Sequence, residues 1–325
     1  MLILVATDRE VIVLDVERGA GSPAHGIGGS PTCLSADPLV QGRAWCGTNR
    51  NGVFRTDDGG RSWQSVGLAG SLIRAVSASP SDRDVVWVGT EPSAVWRSED
   101  AGITWVQTSL LETLSSSSTW SFPPRPDTHH VRWIACHPLK ADHLWVAIEA
   151  GALVSTIDGG RTWSDRVSGG PWDTHELAIQ SKAPDTLRVA AGDGYFESDD
   201  AGATWRSPSV GLDVGYLRSV AIDPEQAEVV VISASSGPHS AYVAGRSDGR
   251  VYRRLTSEPW ERVREGWPEP ASTIAPLLCA GVKGGELWAA DERGVHRSDD
   301  GGISWRHAVG YTTSPQHLRA LALMR

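Results

Sequence analysis

The sequence predicts an all-β chain, a seven-bladed β-propeller of four-stranded antiparallel blades, and three observations carry that expectation. An eight-residue phrase, Thr/Ser-x-Asp-x-Gly-x-Ser/Thr-Trp, occurs five times, at Thr56 to Trp63, Ser98 to Trp105, Thr156 to Trp163, Ser198 to Trp205 and Ser298 to Trp305. A second phrase runs ahead of it at Leu72-Ile-Arg-Ala-Val-Ser-Ala-Ser-Pro80, His130-Val-Arg-Trp-Ile-Ala-Cys-His-Pro138 and Tyr216-Leu-Arg-Ser-Val-Ala-Ile-Asp-Pro224, with a looser copy from Thr174 to Gln180. The two ends of the chain are fragments that complete one another. Repetition at such a period marks a stacked or closed array rather than independent domains.

The second phrase is the innermost strand, A. Strand B follows at Arg43–Thr48, Val85–Thr90, His143–Ile148, Thr186–Gly192, Val229–Ala234 and Glu286–Ala290, strand C leads into the eight-residue phrase and strand D leaves it. Each run is short, β-branched or Trp-rich, and bounded by Gly, Pro or Asp. Six units begin near Pro31, Leu72, His130, Thr174, Tyr216 and Thr273. Residues 1–30 hold strands B, C and D without an A, and residues 316–325 hold an A alone. Joined, they form a seventh blade and remove the open sheet edges, which makes residues 1–325 a single propeller with blades of about 46 residues. The fifth unit carries Ser247-Asp-Gly-Arg-Val-Tyr252 where the phrase is expected, and the seventh has no copy.

The repeated phrase resembles the Asp-box, or BNR repeat, of sialidase-like β-propellers. Its chemistry suits a turn. The Asp accepts hydrogen bonds from nearby backbone N–H groups, the Gly supplies a conformation that a Cβ disfavours, and the Trp buries a large apolar area as the next strand begins. The resemblance implies that the boxes at Asp58, Asp100, Asp158, Asp200 and Asp300 are scaffold joining strands C and D. It also implies that function sits on the opposite face, where the D-to-A and B-to-C loops emerge.

A net charge of −9 and a pI near 5.6 exclude a general nucleic-acid surface, which needs a basic face. The opening MLILVATDRE has a short apolar run, no basic segment before it and no cleavage signal, so it reads as a strand. No run approaches the ~18 apolar residues of a membrane span. Cys33, Cys46, Cys136 and Cys279 fall in strands without metal-type spacing and read as buried thiols, which points to the cytoplasm.

The third position of strand A, read around the ring, is Thr32, Arg74, Arg132, Glu176, Arg218, Ala275 and Arg319. Two residues earlier, on the same strand face, lie Leu72, His130, Thr174, Tyr216, Thr273 and His317. Four arginines at the channel mouth suit bidentate capture of a carboxylate or phosphate. They equally suit ion pairing with Glu176 or with Glu91, Glu149, Asp193 and Glu292 in the B-to-C loops. Trp120, Trp172 and Trp267 fall in D-to-A connections, the first within the longest, Leu110 to His129, and offer either sugar-stacking faces or rim packing. At a strand rise of ~3.3 Å per residue, His130 and His137 lie about 23 Å apart, so no metal site is expected, and no cofactor motif is present.

The resemblance to sialidases implies a possible assignment of arginines Arg74, Arg132, Arg218 and Arg319 to a carboxylate, Tyr216 with Glu176 as nucleophile pair, and Asp173 or Asp193 as acid. The chain departs from it in lacking the Phe/Tyr-Arg-Ile-Pro segment and in having seven blades rather than six. Xyloglucanase-type hydrolases have seven such blades but set their carboxylates between two propellers. The photosystem II assembly factors are similar in size and blade number and act as binding platforms. The expected function is therefore non-catalytic binding of an anionic partner, an acidic peptide, protein or glycan, with a sialidase-like glycoside hydrolase as the alternative.

Overall fold

The computed structural model describes residues 1–324. Seven antiparallel sheets stand around a central channel, each with strand A innermost and B, C and D following outward. Strands A of blades 1 to 6 are Pro31–Ala36, Leu72–Ala78, Val131–Cys136, Thr174–Gln180, Tyr216–Ile222 and Leu277–Ala280. In blade 7, strand A is Leu318–Met324 and pairs antiparallel with Leu2–Thr7 at the other end of the chain. The predicted all-β propeller, closed by this pairing, is the fold observed. In blades 3 and 4 strand D shrinks to the single bridges Ser155–Ser164 and Glu197–Arg206. No helix among the described residues is long and apolar enough to cross a membrane. Cys33, Cys46 and Cys136 are buried, Cys279 partly so, and all four are free thiols.

The five repeated phrases fold identically. In the first, the Thr56 hydroxyl donates to Asp58 Oδ1 at 2.8 Å and accepts from Gly60 N–H, while Asp58 takes the N–H groups of Arg61 and Ser62 and the Ser62 hydroxyl. The other four repeat the hydroxyl-to-Asp bond at 2.7–2.8 Å. Hydrogen bonds from Thr162 and Thr204 hold Asp158 and Asp200 down at about 2. Each turn also docks on the A-to-B loop of its own blade, as in Gly59 N–H to Gly42 C=O and Gly159 N–H to Asp142 C=O. The carboxylates are consumed locally, on the face away from the B-to-C loops. In blade 5 the expected position of the phrase needs correction: Ser247–Tyr252 leads into strand C, Arg250–Leu255, and the C-to-D turn is the shortened Thr256–Trp260. Ser257 takes its left-handed position at φ 80°, and Trp260 still buries its ring.

Neighbouring blades meet through strand B. Trp45, Trp87, Trp145 and Trp288 are buried there, and the Trp45 and Trp145 indoles donate to Ala101 and Ala201 carbonyls in the following blade's turn. Two residues farther along, toward the B-to-C loops, strand B carries a small residue in every blade: Ala6, Gly47, Gly89, Ala147, Ala190, Ser233 and Ala290. The reason is steric. A Cβ on Gly89 would lie 2.2 Å from Val131 Cγ1 of the next blade, and one on Gly47 would lie 2.4 Å from Ile73 Cγ2. Gly89→Ala is therefore expected to destabilise the protein by about 1–3 kcal/mol through overpacking. Urea denaturation of both proteins measures this, and an unchanged midpoint would remove the steric account.

Candidate functional site: the arginine-lined channel mouth

A β-bulge recurs in strand A and creates the site. Pairing with strand B skips one residue between Pro31 and Cys33, Ile73 and Ala75, Val131 and Trp133, Thr174 and Glu176, and Leu217 and Ser219. The same irregularity separates Leu318 from Ala320. The extra residues are Thr32, Arg74, Arg132, His175, Arg218 and Arg319, and the bulge turns these side chains into the channel. In blade 6 Leu277 pairs with Ala290 as Ala75 pairs with Gly89, which assigns the equivalent place to Pro276. The sequence alignment was thus one residue out in two blades: His175 belongs in the ring in place of Glu176, and Pro276 in place of Ala275. Bulges add a residue without changing the polar pattern, and both copies lack the arginine that anchors the others.

The ring residues divide the channel into two chambers. The one toward the B-to-C loops has a volume of about 640 Å³ and is lined by Arg74, Arg125, His130, Arg132, Tyr242 and Arg319, among others. The other, about 500 Å³, is more apolar and contains Glu176. Strand B ends beside the first chamber in Asp8, Glu91 and Glu149, so carboxylates alternate with the arginines.

The four arginines are not equivalent. Arg218 is buried and donates to the carbonyls of Ala241, Ala275 and Leu318, with its guanidinium 4.6 Å from the Tyr242 ring centroid. Burial pushes it down to about 10, which still leaves it charged at neutral pH. It ties together blades 5, 6 and 7 while still lining the mouth chamber. Arg74 pairs with Glu91 at 2.7 Å, and Arg125, from the long loop, meets the same carboxylate at 2.9 Å. Arg132 lies 3.5 Å from Glu149. Arg319 has no hydrogen-bond or ion-pair partner among the described residues; its side chain is exposed to the channel, and partial desolvation with repulsion from Arg132 and Arg74 holds its pKa down against the attraction of Asp8.

Beside Arg132, between blades 3 and 4, Glu149, Asp173 and His175 converge, with one ligating atom of each within 4.8 Å of the others. The His175 Nδ1 lies 2.5 Å from the Leu217 carbonyl, so it carries the proton and Nε2 carries the lone pair. Burial and Arg132 hold this imidazole below its usual range, hence neutral at pH 7. Burial alone would raise Glu149, but the His130 hydrogen bond and Arg132 bring it to about 2, whereas burial raises Asp173.

The remaining expected site residues separate. Tyr216 is 3.4 Å from both His175 Nε2 and the Tyr242 hydroxyl, and Glu176 instead accepts from Ser219. The two do not meet, so the expected nucleophile pair is not formed. Asp193 caps the Trp172 and Asp173 N–H groups. His317 offers its carbonyl to Asp8 N–H. Trp172 is 44% exposed and remains on the mouth side. Trp120, expected on the binding face, is buried in the core of blades 2 and 3 with its indole on Ser116, and Trp267 packs against Trp305. Arg125 and Tyr242 were not anticipated. They sit on the long loop and on a short helix, Pro238–Tyr242, where no repeat aligns them.

No family model and no curated protein matches the chain. Solved structures do. The GH74 xyloglucanase from Xanthomonas campestris superposes with a TM-score of 0.72 at 16% identity, covering 99% of this chain and 52% of that one. The GH74 enzyme from Niastella koreensis gives 0.72 at 14% identity over 95% and 52%. YCF48 bound to D1 peptide gives 0.61 at 19% identity over 95% of this chain and 84% of that chain. The chain spans about half the length of these two hydrolases. At such identities the likeness shows the fold.

Burial in the channel wall pushes the Glu176 carboxyl up to about 8. A raised folded pKa favours the protonated folded form, so stability is full below the ordinary pKa of ~4.3 and declines as pH rises through 8. Glu176→Gln is expected to melt at the same temperature as wild type at pH 4 and higher at pH 8.5. Parallel curves for the two proteins across that range would show that Glu176 is not held protonated.

Proposed function

We propose that this propeller is a non-catalytic binding module that takes a carboxylate-bearing ligand, an acidic peptide or an anionic glycan, in its arginine-lined mouth. The observation that carries the reading is Arg319: a guanidinium without a partner, facing a chamber shared with Arg74, Arg125 and Arg132. Like charges gathered in a partly enclosed space repel, and an anion placed among them relieves that repulsion while accepting charge-assisted hydrogen bonds. Because the whole chain is acidic, the attraction is local to the mouth. Exposed Trp172 adds an aromatic face on the same side. That a propeller of similar shape, YCF48, has been seen bound to a peptide supports a peptide as the first ligand to try.

The hydrolase alternative rests on the GH74 likeness and on the Glu149 and Asp173 carboxylates, and it has lost the pairing of Tyr216 with Glu176 that a sialidase-like mechanism needs. Fluorescence anisotropy with a dye-labelled peptide of alternating Asp and Glu, alongside sialyllactose as competitor, tests the reading. Arg319→Ala is expected to weaken peptide binding about tenfold, the loss of one charge-assisted hydrogen bond or more, and rising salt should weaken the wild type. Equal affinity in the variant would sink the assignment. Turnover of a fluorogenic aryl glycoside that disappears in Glu149→Gln would replace it with the enzyme.

A further inference from the structure

Glu149, Asp173 and His175 come from two blades and share no local sequence motif, yet each is oriented as metal ligands are. A ligand atom is fixed when its partner atom on the same side chain is held by a second group. Here the Leu217 carbonyl holds His175 Nδ1, Ala150 N–H holds Asp173 Oδ1 at 2.9 Å, and His130 Nε2 holds Glu149 Oε2 at 2.6 Å. His175 Nε2 and Asp173 Oδ2 are left facing each other at 3.7 Å. The backbone makes room for them. A Cβ on Gly192 would lie 2.0 Å from Asp173 Oδ2 and 3.3 Å from the His175 ring, so this position accepts no side chain while the aspartate stays where it is.

The charge balance points the same way. Two partly buried carboxylates sit within reach of one buried imidazole whose Nδ1 is taken up by the Leu217 carbonyl. Arg132 touches the Glu149 end at 3.5 Å, and among the described residues no lysine or arginine pairs with Asp173. We propose that Glu149, Asp173 and His175 bind a divalent first-row transition ion. One imidazole nitrogen with two carboxylate oxygens suits zinc, cobalt or manganese, whereas calcium prefers an all-oxygen shell. A tetrahedral zinc site needs donors ~3.3 Å apart, so metal binding would draw the three ligand atoms together from their present spacing of up to 4.8 Å. The Tyr216 hydroxyl, 3.4 Å from Nε2, is placed to supply a fourth ligand or to hydrogen-bond a metal-bound water.

The proposal stands apart from Arg319 and does not rest on the anion reading. Its test uses the full chain after EDTA treatment. Zinc is titrated by calorimetry, and cobalt by its visible d–d absorption, into wild type, Asp173→Asn, His175→Gln and the exposed-surface control His25→Gln, each first checked for a native circular dichroism spectrum. One ion per chain is expected, with at least tenfold weaker binding in Asp173→Asn and His175→Gln and none lost in the control. Should either variant fail to fold, Glu149→Gln takes its place. Zinc should also raise the melting temperature of wild type and leave Asp173→Asn unmoved. No heat and no cobalt band at millimolar metal, or equal affinity in Asp173→Asn, would overturn the site and leave a hydrogen-bonded His–carboxylate network.

Discussion

The closeness with which neighbouring blades approach near the axis is the constraint on which this molecule depends. Seven twisted sheets converge on one channel, and strand B of one blade so nearly meets strand A of the next that Gly47 and Gly89 leave no space even for a Cβ. The small residues from Ala6 to Ala290 answer that geometry in every blade. Two residues earlier on the same strand, buried tryptophan stands at Trp45, Trp87, Trp145 and Trp288. In blade 4 Arg188 stands at the tryptophan position, buried, with its guanidinium bonded to the carbonyls of Leu187 and Ser198.

The bulge just inside that close approach converts scaffold into chemistry. Without the extra residue, strand A would present its alternating pattern to the sheets on either side. With it, one polar side chain turns inward in every blade but the sixth, and the same repeat position serves three ends. Arg218 bolts backbone carbonyls, Arg74 shares Glu91 with a loop arginine, and Arg319 stays unpaired. Repetition therefore supplies the positions, and the non-repeating loops decide what each one does.

This division explains what was legible beforehand. The fold could be read because turn chemistry and blade packing need the same residues each time, as in the five Asp-containing turns and the complementary fragments at 1–30 and 316–325. Four arginines of the ring could be read because Leu/Val/Ile-Arg phrases align without gaps. His175 and Pro276 could not, since the bulge displaces the register by one residue where the phrase is weakest, although aligning backward from strand B at Ala190 and Ala290 would have located both. The shortened turn before Trp260 was hidden by a better-looking Ser-Asp-Gly nearby. Arg125 and Tyr242 come from loops that answer to no repeat, and the burial of Trp120 follows from the long loop folding back as core rather than standing as a lid.

The pairing of Leu2–Thr7 with Leu318–Met324 also imposes an order of events on synthesis. Leu2–Thr7 is a near-continuous apolar run, and its inner neighbour, Leu318–Met324, is translated only after the six intervening blades. At ~5–20 residues per second, tens of seconds separate the two. Throughout that interval Ile3, Leu4 and Val5 belong to an unfinished sheet, with the flanking blade 6 itself still to be translated. The nascent chain thus carries an unpaired apolar strand while six blades are being made, an edge open to other chains until blade 7 closes.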